Sequence, residues 1–399
     1  MFAPEAAANT MDRRHLLKAG AALGGVAALG GCAGHALPET YNPVLQPVRA
    51  RPDRIFDITV CLRPFRAAGP RLDTETVRDT LVVHNYGHGG SGWSLSWGSS
   101  TIAVRKAMAN SPRDIAVIGC GALGLTSAIL AQRAGAKVTI YAREELPQTR
   151  SARATGSWTP DSRIALSGSV AQNFPALWEE MARTSFKTYR SYLGLPGDPV
   201  EWRDHYVVSE VDVDDPKFHT DPPDTLGFAS YYHRIDDLVP RGELLPRGTT
   251  QFDAPYVYRG ENLMFNIADY GHTLMNDFRL AGGAIRHREF HAPSEYAALK
   301  EKVVINCTGY GARDLWKDSS ITPVRGQIAW LIPQPEVTYG VYYKGVNVLA
   351  RRDGIVVQAL AGGDIVGYGD ENEAPDRAQA EQAVATAAEL YARFRTPAV

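Results

Sequence analysis

Gly119, Gly121 and Gly124 stand at the spacing that brings a phosphate group onto bare backbone. In such a turn the first glycine makes the tight bend, the second lets a pyrophosphate approach, and the third lets helix and strand pack closely. Ala122 and Leu123 open a helix whose amide donors and dipole favour the phosphates. The spacing alone is a weak sign. Here a β-branched run from Asp114 precedes it, a helical LTSAILAQRAGA-type segment follows, and Lys137 to Tyr141 reads as a second strand. That context predicts a dinucleotide-binding βαβ unit. Just past the second strand Glu144 is the candidate for the ribose hydroxyls. Arg143 beside it signals a shifted register or another ribose contact, and a solvated Arg-Glu pair is the competing reading.

A second glycine-rich stretch, VVHNYGHGGSGWSLSWGSS from Val82 to Ser100, lies ahead of that unit. It follows Val60-Cys61-Leu62-Arg63-Pro64. His84 to Trp93 with Gly98 resembles the signature of the FAD-dependent D-amino-acid oxidase family, departing at Ser100, where that signature has alanine. Thr155 to Pro160, Asn306 to Gly309 and Val324 to Gln327 are further family-like pieces, and the likeness runs from about Arg54 to about Phe394. In ordinary members the glycine-rich segment and the arginine strand before it lie near the C-terminus. Here both precede the nucleotide-binding strand, and the C-terminal AQAEQAVATAAELYARF reads as the helix that comes before the arginine strand in the family. The resemblance therefore implies a circular permutation, cut between Phe394 and Arg54. The short link Asn110-Ser111-Pro112-Arg113 fits two original termini that were already neighbours.

The resemblance implies FAD as cofactor, with Gly89, Gly90, Ser91, Gly92, Trp93 and Ser94 at the flavin ring. Thr149, Arg150, Ser151, Thr155, Gly156 and Ser157 fall where the family wraps the ribityl and phosphate region, and Thr308 with Gly309 where the chain returns to the cofactor. Arg63 matches the arginine that grips a substrate carboxylate, a task suited to a planar fork that stays charged at all relevant pH, although a structural ion pair is the alternative. Gly90 matches the carbonyl that receives the substrate amine. Tyr343 is the candidate substrate-side tyrosine, with Tyr342 beside it; both also suit a sheet. Val348 stands where the family has a tyrosine, which implies a wider or drier pocket. The implied reaction is oxidation of a D-amino acid, or a related amine bearing a carboxylate, to an imine and then a keto acid, with O2 reduced to H2O2. A glycine- or secondary-amine oxidase, a dehydrogenase using a membrane acceptor, and a non-catalytic flavin- or ligand-binding lipoprotein are the rival readings.

The elements that must position these residues point to an α/β fold: an FAD-binding Rossmann-type domain interleaved with a mixed-sheet substrate domain. The expected boundaries are 112–161 and 285–325 for the first, 162–284 and 326–399 for the second, and 54–111 for the permuted segment. With 42 Lys and Arg against 44 Asp and Glu, the chain lacks the basic balance that nucleic acid would call for, so a small-molecule substrate is expected. Lone histidines such as His205, His219 and His272 lack metal spacing, and no metal site is expected. Cys61, Cys120 and Cys307 sit in apolar runs and read as buried free thiols. Arg13-Arg14 ahead of an apolar run of about 13 residues, too short to span a bilayer, reads as a twin-arginine export signal. Leu29-Gly30-Gly31-Cys32 resembles a lipobox, with Cys32 the lipidated residue. The expectation is an exported protein, periplasmic or held at a membrane by lipid, with an export signal over 1–32, a proline-bearing tether over 33–53 and a folded body from about Pro52.

Overall fold

The computed structural model describes residues 43–395 apart from 216 and 219–223. The expected export signal, Cys32 and the first part of the tether lie outside the described residues. In chain order the elements begin with β1 (Ile55–Arg66), β2 (Thr74–Val77), β3 (Thr80–His84) and α1 (Gly92–Ala107). Then come β4 (Asp114–Ile118), α2 (Ala122–Arg133), β5 (Lys137–Ala142), α3 (Phe174–Tyr189) and β6 (Val200–Ser209). They continue with β7 (Glu243–Leu244), β8 (Tyr256–Phe265), α4 (Ile267–Leu280), β9 (Ala284–His287), β10 (Val303–Asn306) and α5 (Ala312–Leu315). The chain closes with β11 (Ile321–Leu331), β12 (Gly340–Tyr343), β13 (Val346–Arg351), β14 (Gly354–Ala359) and α6 (Arg377–Ala392).

Two sheets organise these elements. One has the order β2-β3-β10-β4-β5-β9, parallel from β3 to β9 with β2 antiparallel at its edge. Its strands are apolar on both faces because both are covered. Ile115 and Val117 face a core with Leu125, Ile129 and Phe278 from α2 and α4, whereas Ala116 and Ile118 face Tyr296, Leu299 and Leu315. The other sheet has the order β1-β11-β14-β13-β12-β6-β8-β7 and is antiparallel except where β12 meets β6. The segment 54–111 is divided between them: β1 pairs with β11, and β3 pairs with β10.

Alternation along the eight-stranded sheet decides which side chains reach the site. Ala329, Leu331, Val346, Val348 and Val357 turn to the core built with Ala383, Val384 and Leu390 of α6. Ile328, Asn347 and Gln358, each adjacent in sequence to one of these, turn the other way. The same core includes Leu45, Val48 and Ala50, all buried. Leu45 N–H donates to Gln251 Oε1 at 3.1 Å, Arg49 N–H to Gln334 Oε1 at 2.7 Å, and Tyr339 Oη to the Gln46 carbonyl at 2.8 Å. The expected tether is thus too long at its C-terminal end. Leu45, Val48 and Ala50 turn their side chains to the sheet's back face, while Val44 is exposed.

Candidate active site

A cavity of about 790 Å³ lies between the two sheets. Its nucleotide end is built by the turn after β4. Gly119 has φ +107, and a Cβ there would stand 2.5 Å from the Cys307 carbonyl, so neither the bend nor the approach of β10 tolerates a side chain. Gly124 would place a Cβ 2.0 Å from the Gly119 carbonyl; it keeps helix α2 close to the strand and does not line the cavity. Gly121, Ala122 and Leu123 do line it, at the N-terminus of α2, where Ala122 N–H donates to Ser151 Oγ at 3.1 Å. Farther along the wall Arg143 sits between Glu144, at 3.5 Å, and Glu289, at 3.2 Å, and all three face the cavity. Glu289 escapes sequence reading because it follows β9, which joins β5 only through the sheet.

A second helix N-terminus meets the same cavity. Gly89, Gly90, Gly92 and Trp93 line it where α1 begins. Gly89 has φ +54, and a Cβ there would stand 1.8 Å from the Arg163 carbonyl. The loop is fixed by Gly89 N–H to the Pro64 carbonyl at 2.9 Å and Gly90 N–H to the Ser162 carbonyl at 3.0 Å. Ser91 and Ser94, expected at the flavin, lie behind the wall. Ser91 Oγ donates to the Ser162 carbonyl at 3.0 Å, and Ser94 Oγ accepts from Thr159 N–H at 2.8 Å. Their hydroxyls are committed to holding segment 159–163 against α1. Thr149, Arg150, Ser151, Thr155, Ser157, Thr308 and Gly309 line the cavity. Gly156 instead supports the wall, with φ +90 and its carbonyl accepting from Phe265 N–H at 2.6 Å.

Arg63 faces the cavity from β1. Cys61 pairs with Gly326 in the β1–β11 register, and a Cβ on Gly326 would stand 2.3 Å from both terminal nitrogens of Arg63. The bare Gly326 is therefore the seat of the guanidinium. Arg63 Nη1 donates to the Arg325 carbonyl at 3.2 Å, and no carboxylate pairs with it among the described residues. Burial and the neighbouring Arg163 lower its pKa to about 10, which leaves it cationic at neutral pH. Arg163, in the left-handed region at φ +48, is neutralised by Asp364 at 3.1 Å. Strain of this kind persists where surrounding structure fixes it; here Arg163 Nε donates to the Asp364 carbonyl at 2.9 Å. Arg163 and Asp364 both border the cavity and were not legible in the sequence.

Tyr343 does not belong to the site. It is buried on the α6 side of the eight-stranded sheet, and its hydroxyl accepts from Arg393 Nη2 at 2.6 Å. Val348 lies on that same back face, so it neither widens nor dries the pocket. Asn347, Gln358 and Ile328 occupy the cavity face in their place. Cys61 also lines the cavity, its thiol pKa raised by burial, whereas Cys120 and Cys307 are pushed up to about 12 by burial. His88 borders the cavity, is 1% exposed, and has no partner on either ring nitrogen among the described residues. Burial and Arg66 push its pKa down to about 3.

These features fit a flavin dinucleotide. The volume lies in the upper part of the roughly 300–1,000 Å³ range of small-molecule sites. Two helix N-termini converge on it. A Cβ built on Gly92 or Gly311 would meet nothing within 4 Å, so the wall leaves room beside bare backbone for a bound group.

The sequence model described as FAD dependent oxidoreductase (DAO) matches residues 114–398. A D-amino-acid oxidase of Dictyostelium discoideum is 27% identical over 220 residues, covering 54% of this chain and 56% of that protein. A D-amino-acid oxidase of Rubrobacter xylanophilus is 29% identical over 213 residues, covering 53% of this chain and 57% of that protein. The chain thus spans little more than half the length of these curated relatives. Among solved structures, L-proline dehydrogenase from P. horikoshii gives a TM-score of 0.49 at 12% identity, covering 70% of this chain and 77% of that one.

Proposed function

The chain belongs to the FAD dependent oxidoreductase (DAO) family, its cofactor is FAD, and from that premise we propose that it oxidises an amino acid, of the D series, to the imino acid. The imino acid would hydrolyse to a keto acid and ammonia, and dioxygen would receive the electrons and leave as hydrogen peroxide. The observation that carries this reading is Arg63, a cation facing the cavity with no carboxylate partner, one residue from the carbonyl that holds the glycine loop. A guanidinium in that setting calls for a substrate carboxylate. The names of the sequence relatives support the D series.

The residues divide the work. Gly121, Ala122 and Leu123 would receive the phosphates and Glu144 or Glu289 the ribose; Gly90, Gly92 and Trp93 would border the flavin ring. Bound FAD supplies the acceptor for two electrons and the hydrogen from the substrate's α-carbon. Arg63 would hold the carboxylate and so fix which face of the α-carbon is presented, and the Gly90 carbonyl would accept from the substrate amine. Neutral imidazole at His88 and the paired charges of Arg163 and Asp364 leave Arg63 as the dominant unpaired charge at the substrate end. FAD-loaded protein should lose its visible flavin absorbance anaerobically with D-amino acids and form peroxide in air. Faster reduction by glycine or N-methyl amino acids would favour a glycine or secondary-amine oxidase, and reduction without peroxide a dehydrogenase. Arg63→Ala should raise KM for a carboxylate substrate by about 100-fold, as loss of a charge-assisted pair implies; an unchanged KM would remove the assigned role.

The order of the segments fits a circular permutation of the family's chain. The family match starts at 114, yet of the elements that precede it β1 belongs to the eight-stranded sheet and β3 to the six-stranded one. The two ends that the permutation would separate remain neighbours: Arg395 N–H donates to the Gln251 carbonyl at 2.7 Å, and Leu45 N–H to the Gln251 side chain. A gene that starts at Pro112, joins 395 to 45 and ends at Ser111 should yield a folded, FAD-binding protein; insoluble product from several linkers would count against the idea. Export by a twin-arginine route with lipid on Cys32 is proposed on residues 11–32 alone. Cell fractionation of wild type and Cys32→Ala tests it.

A further inference from the structure

Gln358 is 6% exposed, borders the cavity, and has no hydrogen-bond partner among the described residues. Neither of its amide atoms is among the buried polar atoms left without a partner, so the amide opens on the cavity and is free to meet a bound group. Asn347 stands opposite it in the β13–β14 register and also borders the cavity. Asn347 is oriented from behind by His205, whose Nε2 lies 3.0 Å from the Asn347 Oδ1. Amide oxygen only accepts, so Nε2 carries the proton and the Asn347 NH2 is left as a donor with no partner among the described residues. Burial lowers the His205 pKa, which keeps the ring neutral and the arrangement fixed.

The pair lies on the same wall as Arg63. The Arg63 guanidinium sits over Gly326, and continuing the register of Ala329 opposite Val357 sets Ile328 beside Gln358. Gln358 is therefore one strand over and two residues along from Gly326, roughly 8 Å by ordinary strand geometry. An amino acid held by its α-carboxylate on Arg63 would therefore have Gln358 and Asn347 on the same wall as its side chain.

Resting on the amino-acid oxidation proposed above, we propose that Gln358 and Asn347 read an acceptor oxygen at the end of the substrate side chain, so that the preferred substrate is an amino acid ending in a carboxamide or carboxylate. Asn347 supplies a donor, and Gln358 supplies a second amide that an aliphatic side chain would cover without pairing. Arg163 does not compete for the terminal group as a free cation, because Asp364 neutralises it.

The test uses the full chain loaded with FAD and compares D-glutamine and D-glutamate with D-leucine and D-norvaline in anaerobic flavin reduction. kcat/KM should be at least 10-fold higher for the oxygen-bearing pair. Gln358→Leu should reduce that ratio by 10- to 100-fold, chiefly through KM, with the Kd for FAD unaltered. Gln358→Glu separates the two sources of the oxygen: it should turn the preference toward D-glutamine and against D-glutamate. Equal use of all four by the wild type, an unchanged ratio in Gln358→Leu, or a weakened FAD Kd in that variant would overturn the proposal. If no amino acid reduces the flavin, the oxidase reading falls separately. Recognition is then read from the flavin spectrum: tighter binding of glutaramate or glutarate than of pentanoate supports the proposal, and equal binding overturns it.

Discussion

Replacing Gly326 by alanine should separate substrate binding from folding. The new Cβ would stand 2.3 Å from both terminal nitrogens of Arg63, whereas ordinary contact needs about 3.5 Å, so the guanidinium must withdraw by roughly 1 Å. The atoms that move are the far end of a flexible side chain. The backbone at Gly326 is not in the left-handed region, so the fold should change in stability by less than about 1 kcal/mol, as for substitutions without strain or lost contacts. A 1 Å shift is enough to break one of two parallel bonds to a carboxylate, a loss of about 1.5–3 kcal/mol or roughly 10- to 100-fold in affinity. The assay is a titration of FAD-loaded protein with pentanoate, followed in the visible flavin band, beside a urea unfolding curve. A rise in Kd of that size with an unchanged urea midpoint is expected. An unchanged Kd, in protein where Arg63→Ala does weaken pentanoate, would refute the idea that Gly326 seats the guanidinium.

Other consequences are open to measurement. Pentanoate has no amine to titrate, so its binding should hold through neutral pH and weaken as pH rises through about 10, where Arg63 loses its charge; a flat profile to pH 11 would count against Arg63. Gly92→Val places methyl groups where nothing lies within 4 Å, so the apoprotein should fold normally while the FAD Kd rises at least 10-fold by fluorescence titration. His88 is neutral in the fold with a pKa near 3, against about 6.5 once unfolded. Between those values the unfolded chain takes up a proton that the folded one refuses, so stability is fully present above about pH 6.5 and is lost as pH falls toward 3. FAD-free His88→Leu should show a shallower fall in urea midpoint between pH 7 and pH 4.5 than wild type, and identical slopes would show that His88 is not responsible.

The nucleotide turn was legible because its function lies in local backbone geometry: the same few residues form strand end, bend and helix start. Arg63 and the loop at Gly89 were legible as a matched motif, although only the Gly89 to Pro64 bond brings them together. The far wall was hidden by parity. Moving one residue along a strand exchanges core for cavity, so Tyr343 and Val348 were assigned to the pocket while Asn347 and Gln358, facing it, were not. Glu289, Arg163 and Asp364 reach the site from segments remote in sequence, and only strand pairing or loop packing shows it. Leu45 and Val48 carried a weaker signal: apolar residues between prolines look like a tether until a groove is present to receive them.

The position of β10 has a consequence for how the chain is made. β3 and β4 are joined through α1 and emerge early in synthesis, yet they do not pair with each other; β10, at residues 303–306, fills the space between them. The central slot of the parallel sheet therefore stays open until residues 303–306 have left the ribosome. During that interval β3 and β4 each present an unpaired edge to solvent, and such edges recruit other chains. Truncation before residue 303 should leave the two glycine-rich turns present in the polypeptide but without the strand that sets the distance between them. Mutations that slow the pairing of β10 would be expected to lower the yield of soluble protein far more than they alter the stability of the finished fold.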